Sequence, residues 1–212
     1  MNATKTTEVF SMAPQPTVAL MHYVDSLIGG FQKGNLYALG MRPGLGKTHF
    51  CAALACHWLK LGRRVMYVSD TVTAEELDRR LDRINWMHRG EPVMKECYNL
   101  SIPRLSAWLD EEKVDLLILD PFDVYCHDVD IGALKELAKE KDVTVLFTVC
   151  LPHHEGVPTL STVTLPNERT YAKFLAYTSV ILLGYRDPAD GVCVDAVKNE
   201  QGERMRILQR CN

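Results

Sequence analysis

The sequence predicts an α/β fold, a three-layer arrangement with a mainly parallel central sheet and a C-terminal β-hairpin, and three observations carry that expectation. Short apolar runs rich in valine, isoleucine and leucine alternate with longer stretches whose apolar residues recur at helical spacing. A glycine-rich turn ending in Gly46-Lys47-Thr48 joins the first run to the first helical stretch. The last segment alternates apolar and polar residues in the manner of paired antiparallel strands.

In chain order, "NLYALG" (35–40) is the first buried strand, and "KTHFCAALACHWLKLG" is a helix with Gly62 as its stop. "RVMYVSD" (64–70) is the second strand, followed by the amphipathic "TAEELDRRLDRINWMHRG", stopped by Gly90. The charges of that stretch suit a solvated helix face better than a nucleic-acid patch. "IPRLSAWLDEEK" is a helix, "VDLLILD" (114–120) a strand, "GALKELAKEKD" a helix and "VTVLFTV" (143–149) a strand. "TSVILLG" (178–184) is the last buried strand, and "VCVDAVKNEQGERMRILQ" a hairpin turning near "NEQGE". Helical crossovers between successive strands make the sheet parallel. Residues 150–168 exceed the usual loop length and are a candidate functional loop.

At 212 residues the chain accommodates one well-buried domain, expected over 21–212, with 1–20 as a flexible tail. No apolar run approaches the ~20 residues of a membrane helix, and the N-terminus lacks the apolar core of a secretory signal. A soluble, cytoplasmic protein without membrane contact is expected. The seven cysteines form no Cys-x-x-Cys pair, so reduced thiols packed as small hydrophobes fit best. A net charge of -3 lacks the basic excess of a protein gripping many phosphates, and DNA binding has to be argued locally.

The turn "MRPGLGKT" carries the most specific chemistry. It ends as G-K-T and lies between a strand and a helix, the context that a phosphate-binding loop requires. Gly44 and Gly46 let successive N–H groups converge on phosphates, and the helix beginning near Lys47 aims its positive end at them. The candidate nucleotide-binding residues are Arg42, Pro43, Gly44, Leu45, Gly46, Lys47, Thr48 and His49. Lys47 reaches the β- and γ-phosphates of ATP, and the Thr48 hydroxyl is a ligand for Mg²⁺. Met41 stands where the usual pattern has glycine, which is tolerable if its backbone needs no positive φ. Asp120, ending an apolar strand, is the second Mg²⁺ carboxylate, acting from the ion's outer shell.

The stretch "LIGGFQKGNLYALGMRPGLGKTHFCAALA", with "VSDTVTAEEL", "LLILDPFDVY", "LKELAKEKDVTVLFT" and "VILLGYRDP", resembles the ATPase domain of DnaB-type replicative helicases, a branch of the RecA-like fold. The resemblance extends over most of 25–210 and implies a RecA-like P-loop NTPase that binds ATP and Mg²⁺. In that family Arg42-Pro43 is a usual pair, and only Met41 departs within the loop. Three other positions break the pattern. Thr71 stands where the family has its general-base glutamate, with the shorter Asp70 one residue away as a candidate substitute. Cys150 replaces a phosphate-sensing glutamine, and a thiol is a weak donor. Lys198-Asn199-Glu200 replaces Lys-x-Arg, keeping a lysine that would act on a neighbouring subunit's ATP and reversing the arginine's charge.

The segments that face DNA in the family are poor in cations here. The first carries Asp123, Asp128 and Asp130, and the second only Arg169. Cys126-His127 and Cys150 with His153-His154 are a weaker candidate for zinc, their spacing matching no recognised pattern. The resemblance implies a Mg-ATP-binding protein with slow hydrolysis, associated with DNA replication or a mobile element. The alternatives are a catalytically degenerate ATP-binding module that regulates assembly, and an active ring helicase. The partners implied are ATP or ADP and a homo-oligomeric ring or hetero-partner, with DNA binding weak or absent.

Overall fold

Strands apolar on both faces need cover on both sides, and the sheet of this chain has it. The computed structural model describes residues 24, 28–85, 90–122, 129–154, 156–165, 167–188, 191–200 and 206–209. The expected tail 1–20 lies outside them, as do Asp123, Asp128, Cys126 and His127. The elements run β1 (Leu36–Met41), α1 (Lys47–Lys60), β2 (Val65–Val68), α2 (Ala74–Asn85), β3 (Val93–Lys95), α3 (Ile102–Glu112) and β4 (Leu116–Leu119). They continue with α4 (Ile131–Glu140), β5 (Thr144–Cys150), a short 3₁₀ turn (Leu160–Thr162), α5 (Glu168–Tyr177), β6 (Thr178–Asp187), β7 (Gly191–Asn199) and β8 (Arg206–Gln209).

The strands form one sheet in the order β3-β2-β4-β5-β1-β6-β7-β8. The first six are parallel; β7 and β8 turn back as an antiparallel extension. The five expected parallel strands and the terminal hairpin are present. The pairing of β7 with β8 is described, whereas residues 201–203 of the expected turn lie outside the described residues. Two elements went unread: β3, three residues long and too short to show a period, and α5. The signal for α5 is an Asn167 N-cap, whose side chain accepts from the Thr170 N–H at 2.8 Å, with Tyr171, Phe174 and Leu175 at helical spacing.

Side-chain alternation divides the core in two. Tyr37, Leu39 and Met41 of β1 pack toward α1 and α2, while Leu36 and Ala38 pack toward α3, α4 and α5. Every residue of α1 from Phe50 to Leu59 is buried, so the "FCAALACHWL" run reads as a helix enclosed on all sides. Each large side chain so buried contributes about 1.5–3 kcal/mol, which fixes α1 firmly over the sheet. Asp130 caps α4 by accepting from the Ala133 N–H at 3.0 Å and pairs with Lys173 of α5. No described helix is long and apolar enough to cross a membrane.

Candidate functional site

β1 delivers the chain to the carboxyl end of the sheet, where residues 42–46 turn into α1. Met41 is the last strand residue, 1% exposed, and its side chain lies over Gly184 of β6. A Cβ at Gly184 would come within 2.3 Å of the Met41 Cε, so methionine and glycine fit as a pair. Met41 has no positive φ and contributes only its carbonyl to the turn.

Gly44 (φ 80°) and Gly46 (φ 97°) are both left-handed, and the space beside them is open: a Cβ at Gly44 would meet nothing within 4 Å. Gly46 is the N-cap of α1, with no side-chain cap and no acidic residue in the first turn. The first N–H groups of a 14-residue helix are thus left without side-chain acceptors. Lys47 folds back so that its ammonium donates to the Met41 carbonyl at 3.1 Å. Thr48 and His49 are half-buried in the first turn. Burial, helped by Arg80, lowers the His49 imidazole's affinity for a proton.

The strand order places β5 between β1 and β4, so Asp120 approaches α1 from two strands away. Asp120 is 1% exposed, and both its oxygens are engaged: Tyr67 of β2 donates to Oδ2 at 2.6 Å and Thr148 of β5 to Oδ1 at 2.7 Å. Cys51, one turn along α1 from Thr48, lies near Tyr67 and Asp120. Burial pushes the Cys51 thiol well up, with the nearby Asp120 charge adding to the effect and Lys47 opposing it. Burial first, then Cys51 and Asp120, holds the Tyr67 phenol well above its ordinary range, so it stays a donor. The charges of Lys47 and Asp120 are both felt at Cys51, in the second turn of α1. Sequence reasoning missed Tyr67 and Thr148; the available signal is a hydroxyl at an α1-facing position of the largely apolar β2 and β5.

The other expected residues are held by their own chain. Asp70 accepts from the Cys97 N–H at 2.6 Å, tying the end of β2 to the loop after β3. Ser69 Oγ accepts from the Thr71 and Val72 N–H groups, each at 3.2 Å, and lies 3.2 Å from the Thr71 hydroxyl. Lys198 donates to the carbonyls of Leu175 at 2.6 Å and Thr178 at 2.7 Å and pairs with Glu200 at 2.6 Å. Thr178 lies beside Leu36, the first residue of β1, whereas the phosphate loop follows Met41, the last. The Lys198 backbone is level with Ala38, and its ammonium turns away from the loop to the Thr178 carbonyl, about five residues or roughly 17 Å along the strand from the level of Met41.

Arg169 is exposed, and His154 Nδ1 lies 3.0 Å from the Pro152 carbonyl oxygen. Among the described residues no three His, Cys, Asp or Glu side chains form a metal cluster. Cys51, Cys56, Cys97 and Cys193 are buried and form no disulfide; Cys150 is half-buried where β5 ends beside Met41.

Residues 18–89 match the model of the family described as DnaB-like helicase C terminal domain. The chain is 23% identical over 116 residues to the DNA repair protein RadA of Campylobacter jejuni, covering 55% of this chain and 25% of that protein. It is 24% identical over 119 residues to RadA of Halalkalibacterium halodurans, covering 56% and 25%. The match therefore spans a quarter of these relatives' length. Among solved structures, a DnaB-like replicative helicase studied with its interactions with primase superposes with a TM-score of 0.70 at 15% identity, over 87% of this chain and 57% of that one. The ATPase domain of G40P gives 0.67 at 15%, over 88% and 84%. The flagellar accessory protein FlaH of Methanocaldococcus jannaschii gives 0.65 at 15%, over 90% and 91%. The chain shares the fold of these structures, and its residues 18–89 are similar to the DnaB-like helicase C terminal domain.

Proposed function

We propose that this chain is an ATP-binding domain that takes nucleotide with Mg²⁺ at the loop 42–49 and hydrolyses it slowly. The observation that carries the reading is the open start of α1: two left-handed glycines, no side-chain cap, no acid in the first turn, and a lysine folded across the loop. Backbone N–H groups and the helix dipole favour phosphate there. In binding, the Lys47 ammonium exchanges the Met41 carbonyl for phosphate oxygens, a stronger partner because it is charged. Thr48 and Asp120 would hold Mg²⁺, which when bound neutralises phosphate charge; a carboxylate 1% exposed and paired with two hydroxyls suits that cation.

Slow turnover follows from what surrounds the loop. Thr71 has no carboxylate to orient water, Asp70 is engaged with the Cys97 N–H, and Lys198 is held by three oxygens of its own chain. Binding outlasts catalysis in such a site. The inward Lys198 favours a second reading, in which ATP occupancy sets conformation or assembly and turnover is incidental. With Arg169 the one cation of the expected DNA-facing segments, single-stranded DNA binds weakly and does not drive hydrolysis. A place in DNA replication or a mobile element belongs to the same proposal.

Single-turnover hydrolysis of ATP with Mg²⁺, with and without single-stranded DNA at ~0.15 M salt, tests it. The expected result is saturable binding, slow phosphate release and no change with DNA. Strong stimulation by DNA would identify an active helicase motor instead, and no nucleotide binding would refute the reading.

A further inference from the structure

Asp120 stands at the end of β4 and is clamped from both sides. β2 and β5 are the two strands that flank β4, and each sends one hydroxyl to one carboxylate oxygen. The Tyr67 hydroxyl gives its only proton to Asp120. Hydroxyls from β2 and β5 thus close on the carboxylate that follows β4. Among the described residues no ion pair meets Asp120, and the side-chain donors to its oxygens are the two hydroxyls. Buried charges are stable when paired or when they serve a metal ion, and the group that completes this one is a cation.

We infer that Tyr67 and Thr148 are positioning residues for a divalent cation, holding Asp120 so that its unused lone pairs take a water of the cation's shell. This inference rests on the nucleotide reading above. A carboxylate offers about four acceptor sites; the two hydroxyls occupy one on each oxygen and stop the group from rotating. Each donation also withdraws charge from the oxygens, which makes Asp120 a weaker direct ligand and suits it to an outer-shell role. Positioning partners of this kind typically change metal affinity by about 10- to 100-fold when removed.

The test uses Mn²⁺ as the probe, followed by electron paramagnetic resonance in the presence of ADP, with calorimetry of ADP alone in EDTA. Tyr67→Phe and Thr148→Val are near-isosteric and each should weaken Mn²⁺ binding about 10-fold, whereas Thr148→Ser, which keeps the hydroxyl, should stay within about twofold of wild type. ADP affinity in EDTA should not move in any variant. Unchanged Mn²⁺ affinity in both Tyr67→Phe and Thr148→Val overturns the inference, as does a parallel loss of ADP affinity in EDTA, which marks a merely structural role. ADP binding by the wild type that is indifferent to Mn²⁺ overturns the inference and leaves the nucleotide reading standing. A wild type that binds no ADP overturns both.

Discussion

The two ends of the central sheet carry lysines of opposite fate. At the carboxyl end, Lys47 has one partner, the Met41 carbonyl, beside a helix start without a side-chain cap. At the amino end, Lys198 has three: the Leu175 and Thr178 carbonyls and the Glu200 carboxylate. Those carbonyls belong to an abrupt junction, since Thr178 is both the C-cap of α5 and the first residue of β6. The carbonyls at a helix C-terminus need donors and favour a cation, and Lys198 supplies both. A lysine short of partners is available to a ligand, whereas one that closes a helix end is part of the fold.

The largest expected effect lies under the open end. Asp120→Ala strands the Tyr67 and Thr148 hydroxyls in the core and should cost about 3 kcal/mol in urea unfolding, together with the Mg²⁺ dependence of nucleotide binding. A loss confined to metal dependence would mean that the clamp adds nothing to the fold. Next, Lys198→Met keeps the aliphatic stem and removes the charge, and should cost about 2 kcal/mol while nucleotide affinity stays put. If stability is unchanged and ATP-dependent assembly fails, the lysine serves a neighbour and the contrast between the two ends collapses.

Glu200→Gln should cost less than about 1 kcal/mol, because the carboxylate is 54% exposed and solvent screens its pair with Lys198. The smallest effect is a pH slope at the open end. His49 has its proton affinity lowered by burial and then by Arg80, so its contribution is fully present above the unfolded imidazole value of ~6.5 and is lost as pH falls through the folded value. Urea unfolding at pH 7 and pH 5 should show this slope in wild type, and His49→Gln should flatten it.

The sequence made one end far more legible than the other. A phosphate loop is local chemistry: Gly44, Gly46, Lys47 and Thr48 act through backbone geometry that neighbouring residues determine. Parallel strands and their helices were legible because period and apolar content are also local. The partners of Asp120 come from 53 and 28 residues away, and no spacing rule reaches that far. Lys198 likewise depends on where α5 stops, and α5 was itself unread because the loop-like residues before it masked its cap. Met41 was a departure from a pattern until Gly184 supplied its reason.

The central claim, that the open end of α1 is a nucleotide site, is tested most directly by titrating MgADP into the intact protein and into Lys47→Ala by calorimetry. The account predicts one saturable site in wild type and a loss of affinity of roughly 10- to 100-fold in the variant, with unfolding behaviour preserved. No heat of binding in wild type, or equal affinity in the two proteins, would contradict it.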